Sequence, residues 1–323
     1  MRIVRSLSEI SRNKQSVVTV GTFDGIHRAH QEIIREVVNR ARMWEGRSVV
    51  VTFDPHPKEV VTSTRGPVKL LTTLDERIAR LEHLQVDVLL ILPFTPQFSR
   101  LSSREFYQQC IVEGVGVSEV VVGYDHMFGR NREAGIDELV HMGKEFGFSV
   151  FAVHAVTVDG EAVSSTRIRK ALAAGDLEHA MRLLGEPYSL SGLVVPGDRR
   201  GATLGFPTAN IRPASEKKIV PARGVYLVKA AFGKDLRYGM LNIGVRPTVS
   251  EGTNETIEVH LLGFSGDLYG TTIKVWFLRR LREERRFSSL QELTAQLHRD
   301  REDALRYIAE FAEVNKEGST PAS

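Results

Sequence analysis

Near Gly185 the sequence changes rhythm, and the two rhythms demand different architectures. Before that glycine, short apolar runs alternate with helical segments. The strand candidates are SVVTVG, RSVVVTF, VDVLLILPF, VSEVVVGYD and GFSVFAVHAV. Between the first four stand HQEIIREVVNRARMW, LDERIARLEHLQ and SREFYQQCIVEG, which read as helices. Apolar runs separated by helices imply βαβ units, a parallel sheet and a ligand crevice at the strands' C-terminal ends. SSTRIRKALAAGDLEHAMRLLG closes this half. Ser164 or Ser165 can cap a helix there, and Gly175-Asp176 interrupts it. A second short helix follows, with Leu177, Ala180, Met181 and Leu184 on one face.

After Gly185 and Pro187 the helical spacing disappears. YSLSGLVV, GVYLVKAAF, RYGMLNIG, TIEVHLLGF and TTIKVWFLRRL are short strands divided by glycine and proline turns, the pattern of an antiparallel barrel or sandwich. An amphipathic helix from SLQELTAQLHRDREDALRYIAEF ends the fold, and the tail from about residue 315, NKEGSTPAS, reads as disordered. The expected division is therefore residues 1–185 and 186–323, which suits a chain of 323 residues.

Hydrophobic content of 42% with 26% charged residues is that of a soluble chain with a real core. A net charge of +3 with a pI near 9.0 fits anionic small molecules. No basic run is interleaved with aromatics, so no nucleic-acid partner is expected. Cys110 is the sole cysteine, which rules out an internal disulfide, and its neighbours EFYQQCIVE predict a buried, inert thiol. No stretch approaches the roughly 20 apolar residues of a membrane span, and MRIVRSLSEI lacks the core of a signal peptide. The expected location is cytoplasmic.

The stretch VTVGTFDGIHRAHQEII places His27 and His30 where a strand gives way to a helix. A helix start offers unpaired N–H groups and about half a positive charge, so it attracts phosphate. Gly21 and Gly25 let the backbone approach a ligand closely. The two imidazoles, three positions apart, can project toward the same ligand and donate to phosphate oxygens without accepting a proton. A metal site is disfavoured, because no cysteine or third ligand accompanies the pair.

These residues resemble the His-x-Gly-His signature of nucleotidylyltransferases. More narrowly, GTFDGIHRAHQ, FDPHP, VVGYDHMFG and SSTRIR resemble the bacterial bifunctional riboflavin kinase/FAD synthetases. GDRRGATLGFPTANI, PARGVYLV, NIGVRPTV and IEVHLLGF continue the resemblance through the second half. It implies a Rossmann-like nucleotidylyltransferase domain with a parallel sheet, followed by an antiparallel β-barrel flavokinase domain ending in a helix. The implied activities are ATP-dependent phosphorylation of riboflavin to FMN and adenylylation of FMN to FAD. Ala29 stands where the signature usually has glycine, and His126 where phenylalanine is expected after Asp125.

For the first domain the resemblance implies that His27 and His30 contact ATP phosphates, within a loop of Gly21, Phe23, Asp24 and Gly25. Ser164, Ser165, Thr166, Arg167 and Arg169 would complete the cradle. Asp125 and Phe128 would help form the nucleotide and flavin pocket. FDPHP would shape another wall, with no chemical step for Asp54 or His56. The FMN phosphate is already anionic, so this reaction needs positioning and electrostatic stabilisation rather than a general base.

In the second domain, Gly197, Gly201 and Gly205 permit a tight loop around phosphates, although no Walker A sequence is present. If Thr208 to Ile211 is extended, Thr208 and Asn210 share a face and offer oxygen ligands suited to Mg²⁺ carrying ATP phosphates. In TIEVHLLGF, Ile257, Val259 and Leu261 form one face, while Glu258 and His260 point to the other. The ribityl hydroxyl is neutral, and its attack is helped by a carboxylate that orients it and takes its proton. The resemblance places that base at Glu258; His260 reads as structural.

Overall fold

A computed structural model describes residues 1–61, 68–124, 135–197, 200–246 and 254–317. The chain divides into two compact units, Met1–Arg167 with Leu183–Gly185, and Ile168–Arg182 with Glu186–Ser323.

Strands β1 (Arg2–Val4), β2 (Ser16–Val20), β3 (Arg47–Asp54), β4 (Val88–Pro93), β5 (Glu119–Gly123) and β6 (Ser149–Val153) form the sheet of the first unit. Their order is β1-β4-β3-β2-β5-β6, and every pairing is parallel. Val17, Val18, Val49, Val50, Val51, Leu89 and Leu90 are all buried, so adjacent residues on both faces need cover. Helices provide it, which is why these strands read as continuous apolar runs rather than alternating ones. α1 (Arg28–Met43) buries Ile34, Val37, Val38 and Ala41. After α2 (Pro57–Val61), α3 (Leu74–His83) starts from a capping box between Thr73 and Glu76. From β2 the chain steps to β3 and β4 on one side and returns to β5 on the other. The C-terminal end of β2 is therefore the switch point at which such sheets bind ligands.

Three elements differ from the sequence reading. MRIVRSLSEI contributes an edge strand, β1, that the sequence does not announce, because only Val4 of its three residues is buried and the run is too short to show periodicity. SREFYQQCIVEG is a short helix, α4 (Ser103–Phe106), followed by a π-helical stretch over Tyr107–Val115. A further helix, α5 (Ile136–Phe146), was not expected, since its buried stripe is only Leu139, Met142 and Gly143. Cys110 is buried, and burial pushes its thiol up to about 11, as expected of an inert cysteine. A small hairpin, β7 (Thr157–Val158) with β8 (Glu161–Ala162), precedes α6 (Ser165–Ala174) and α7 (Leu177–Leu184).

In the second unit β9 (Ser189–Val195), β10 (Ala209–Pro213), β11 (Gly224–Phe232), β12 (Asp235–Arg246), β13 (Asn254–Leu261) and β14 (Thr272–Arg282) close into an antiparallel barrel. The cyclic order is β10-β13-β12-β11-β14-β9. Closure removes exposed sheet edges and explains the alternation read from the sequence. A short turn of helix, α8 (Arg200–Thr203), lies between β9 and β10. α9 (Leu290–Glu317) packs outside the barrel, where Leu297, Ala304, Tyr307 and Ile308 meet Phe206, Leu227 and Met240. The buried Asp300 holds it there by accepting from Arg282 at 2.9 Å (Nε) and 2.8 Å (Nη2). α9 runs on through Glu317, into the segment read as a disordered tail; residues 318–323 lie outside the described residues.

Candidate functional sites

The chain leaves the central strand β2 at Val20 and reaches α1 through a seven-residue loop, Gly21 to His27. Phe23, Gly25 and Ile26 all have positive φ, at 48°, 88° and 35°. For Phe23 and the β-branched Ile26 this is a strained conformation, of the kind that persists where surrounding structure enforces it. Gly25 has a second constraint, because a Cβ there would lie 2.8 Å from Leu71 Cδ1. Phe23 and Ile26 are anchored in a buried cluster with Ile34, Val38, Leu81 and Leu89. Gly21 hydrogen-bonds back to the sheet, its N–H donating to Val51 O at 3.0 Å.

His27 caps α1, and its Nδ1 accepts from the His30 N–H at 3.4 Å. In neutral His27 the proton therefore sits on Nε2. The two imidazoles stack, with centroids 3.6 Å apart and planes 17° from parallel, and Phe23 meets His30 edge-on at 5.2 Å. His30 Nδ1 is buried and has no hydrogen-bond partner among the described residues. Burial first, and the neighbouring His27 second, hold the His30 imidazole well below its usual value, so it is neutral at pH 7. A stacked pair with one neutral member can donate N–H groups to an anion and has little tendency to take a proton from it.

Asp24 is placed differently from the expectation that it faces phosphate. Its buried carboxylate accepts from Leu71 N at 3.1 Å and from Thr72 N at 2.9 Å. Thr72 Oγ1 stands 3.2 Å from the same carboxylate and accepts from Gly25 N at 2.9 Å. Asp24 thus ties the loop to the 71–72 segment, and a carboxylate has no donor to offer an anion. Ser165 Oγ donates to Asp24 O at 2.9 Å, which brings the start of α6 against this loop. Ser164 Oγ accepts from Arg167 N at 3.3 Å as a helix cap, and Thr166 is exposed. Arg167 binds Glu161 O and Ala162 O, at 2.9 and 3.0 Å, and pairs with Glu161 Oε2 at 2.9 Å, so its guanidinium serves the hairpin. Arg169 is half-buried. Asp125, His126 and Phe128 lie outside the described residues.

In the barrel, one register row runs Val195, Asn210, Glu258, Asn242, Val225 and Arg282 across the strands. Glu258 on β13 therefore lies between Asn210 on β10 and Asn242 on β12. Thr208 Oγ1 donates to Glu258 Oε2 at 3.2 Å, so the expected ligand pair and the expected base converge. A Cβ on Gly197 would lie 2.0 Å from Asn210 Nδ2, so only glycine leaves room for that amide. Gly201 accepts from Phe206 N at 2.9 Å, and Gly205 has φ 80°, which together shape the loop before Thr208. His260 Nδ1 is 2.9 Å from Pro207 O and its ring meets Phe206 at 5.2 Å. At the end of the barrel where β14 finishes, a cavity of about 510 Å³ is lined by Val220, Arg223, Glu255, Arg280, Glu283 and Glu284.

Hydroxyl and amide oxygens such as Thr208 Oγ1 and Asn210 Oδ1 are hard donors that fit Mg²⁺. Among the described residues no group of three His, Cys, Asp or Glu side chains could hold an ion. An ion here would be shared with nucleotide phosphates, as is usual for Mg²⁺.

Sequence reasoning missed Asn242, which only strand pairing sets beside Glu258. It also missed Arg77 and Arg80 of α3. Arg77 Nη1 donates to Thr22 O at 2.8 Å, and Arg80 Nη1 to Gly25 O at 2.6 Å. A signal for Arg77 was present. It occupies a core position of the stripe Leu74, Arg77, Ile78 and Leu81, where a charged residue needs a reason.

The family described as FAD synthetase matches residues 9–167, and the one described as riboflavin kinase matches residues 184–308. A bifunctional riboflavin kinase/FMN adenylyltransferase of Pseudomonas fluorescens is 40% identical over 301 residues, 93% of this chain and 96% of that protein. The protein of the same description from Bacillus subtilis is 37% identical, covering 91% and 93%. Among solved structures, a chain described as a macrolide-efflux protein from Streptococcus pneumoniae superposes with a TM-score of 0.83 at 32% identity, covering 93% of this chain and 97% of that one.

Proposed function

Because this chain belongs to the family of bifunctional riboflavin kinase/FMN adenylyltransferases, we propose that its two reactions are run by two sites of opposite chemical character. The enzyme phosphorylates riboflavin to FMN with ATP, then adenylylates FMN to FAD with release of pyrophosphate. We assign adenylylation to residues 1–185 and phosphorylation to residues 186–323, a division supported by where the two family matches fall.

In adenylyl transfer an FMN phosphate oxygen attacks the α-phosphorus of ATP, and the bond to the pyrophosphate oxygen breaks. The nucleophile arrives ionised, so no side chain has to remove a proton. His27 and His30 donate N–H groups to the polyphosphate as charge moves onto the leaving pyrophosphate. The hydroxyls of Ser164 and Thr166, with backbone N–H groups at the start of α6, add donors, while Ser165 Oγ stays committed to Asp24 O. Asp24 serves as a positioning residue through Leu71 and Thr72.

In phosphoryl transfer the ribityl hydroxyl attacks the γ-phosphorus. Glu258 orients that hydroxyl and accepts its proton as the new bond forms. Thr208 and Asn210 would hold Mg²⁺, which when bound neutralises phosphate charge. Thr208 can do so through a lone pair while its proton remains directed at Glu258. The convergence of Thr208, Asn210 and Glu258 is the observation that carries this reading. Use of ATP in both steps, and a single buried thiol, fit the cytoplasm, with small molecules as the only partners required.

Incubating the intact protein with riboflavin, ATP and Mg²⁺, followed by flavin chromatography, tests the proposal. FMN is expected first and FAD afterwards, with no FMN when Mg²⁺ is withheld. FMN formation at full rate in a metal-free chelated sample contradicts the roles given to Thr208 and Asn210.

A further inference from the structure

Every carbonyl oxygen from Thr22 to His27 is engaged by a protein donor. Thr22 O accepts from Arg77 Nη1 at 2.8 Å, and Phe23 O from Ile26 N at 3.2 Å. Asp24 O accepts from Ser165 Oγ and Gly25 O from Arg80 Nη1, at 2.9 and 2.6 Å. Ile26 O takes Gln31 Nε2 and His27 O takes Gln31 N, both at 2.9 Å. A carbonyl oxygen left facing a polyphosphate repels it. Binding each one to a donor removes that repulsion and fixes the peptide plane; the N–H groups of Gly25 and Ile26 are themselves held, by Thr72 Oγ1 and Phe23 O. Neutralised carbonyls in fixed peptide planes are what an anion-holding loop requires.

Arg77 occupies the critical place in this set. It is 2% exposed, and its Nη1 reaches both Thr22 O at 2.8 Å and Thr52 Oγ1 at 3.2 Å. Its Nε has no hydrogen-bond partner among the described residues. Burying a guanidinium with incomplete hydrogen bonding is unfavourable, and a well-packed apolar residue would serve the core better. The carbonyl it holds immediately precedes Phe23, the first residue of positive φ, so it braces the peptide at which the loop leaves its relaxed path. Burial disfavours the charged guanidinium and holds its pKa below the usual value, and the carboxylates of Asp24, Asp54 and Glu59 offset only part of that.

We propose that Arg77 is a positioning residue for adenylyl transfer, and that it acts by holding Thr22 O so that the Gly21–His30 segment is preformed for the ATP phosphates. This rests on the phosphate-holding role given to that segment above. Arg80 and Gln31 support the same arrangement further along the loop.

The experiment compares Arg77→Lys and Arg77→Met in the full chain. FMN adenylylation and riboflavin phosphorylation are measured on the same samples, and adenylylation rates are normalised to the fraction of the first unit that is folded. Lysine keeps the charge but loses the fork; methionine loses both. The expected order of adenylylation kcat is wild type, then Lys, then Met, with the Met variant down by about tenfold or more. The ATP KM should change less than kcat. Riboflavin phosphorylation should not change. Should Arg77→Met fail to fold, Arg77→Lys carries the test. Wild-type adenylylation kcat in folded Arg77→Lys overturns the proposal. His27→Ala/His30→Ala measured alongside separates the two ideas. Retained adenylylation in that variant sinks the phosphate-loop reading itself, whereas its loss beside wild-type kcat in Arg77→Lys sinks only the role of Arg77.

Discussion

At the end of β2 the side chains proposed to meet ATP are imidazoles and hydroxyls, while on β13 the proposed base is a carboxylate. On the proposed assignment both regions handle ATP, so the difference has to come from the other reactant. FMN brings a phosphate that is already charged, and a carboxylate beside it would repel it. The first unit accordingly directs the carboxylate of Asp24 at the amides of Leu71 and Thr72. Riboflavin brings a neutral hydroxyl, and the barrel keeps Glu258 beside the proposed phosphate ligands Thr208 and Asn210. On that assignment, the ionisation state of the nucleophile dictates which charges each fold places at its site.

The sharpest way to break this contrast is to remove the carboxylate. Glu258→Ala should slow FMN formation by about 10²-fold or more and leave adenylylation of supplied FMN intact. Equal loss of both would mean misfolding rather than loss of a base. Replacing both histidines with alanine should reverse the pattern, lowering FAD formation by about 10²-fold with normal FMN formation. Flavin chromatography reads both outcomes.

A smaller effect is expected at Asp24. Asp24→Asn leaves part of the amide cluster of Leu71 and Thr72 without its charged acceptor, which costs about 1–3 kcal/mol of first-unit stability in urea unfolding. Adenylylation should fall with it, and phosphorylation should not. Unchanged stability would mean that the loop does not depend on this carboxylate.

The smallest effect concerns pH. Burial, and then His27, depress the His30 value, so between that value and about 6.5 the unfolded chain binds more protons than the folded one. First-unit stability from this source is complete above about pH 6.5 and declines as the pH falls below it. His30→Ala should flatten that part of the stability profile. An identical slope in wild type and variant would show that His30 titrates normally.

Much of this was legible in the sequence because the controlling patterns are local. The loss of helical spacing after Gly185 separated a parallel sheet from a barrel, and Gly25 followed by His27 and His30 marked a strand-to-helix turn. Strand alternation set Glu258 on the face opposite Ile257 and Val259. What escaped depends on partners distant in the chain. Asp24 resembled a ligand-facing residue until Leu71 and Thr72, 47 and 48 positions away, claimed its oxygens. Arg77 looked like part of an ordinary amphipathic helix, since its acceptor Thr22 O lies 55 residues earlier. Asn242 acquires meaning only through its pairing with Glu258. α5 carries too short a buried stripe to show helical periodicity in the sequence.

The most direct test of two independent sites is complementation. Glu258→Ala protein and His27→Ala/His30→Ala protein are mixed with riboflavin, ATP and Mg²⁺, and FAD is followed over time. If each chain retains one complete site and FMN passes through solution, the mixture makes FAD from riboflavin, whereas neither variant alone does so at a comparable rate. A mixture that makes no more FAD than the better single variant, although each retains its own half-reaction, would contradict two self-sufficient sites.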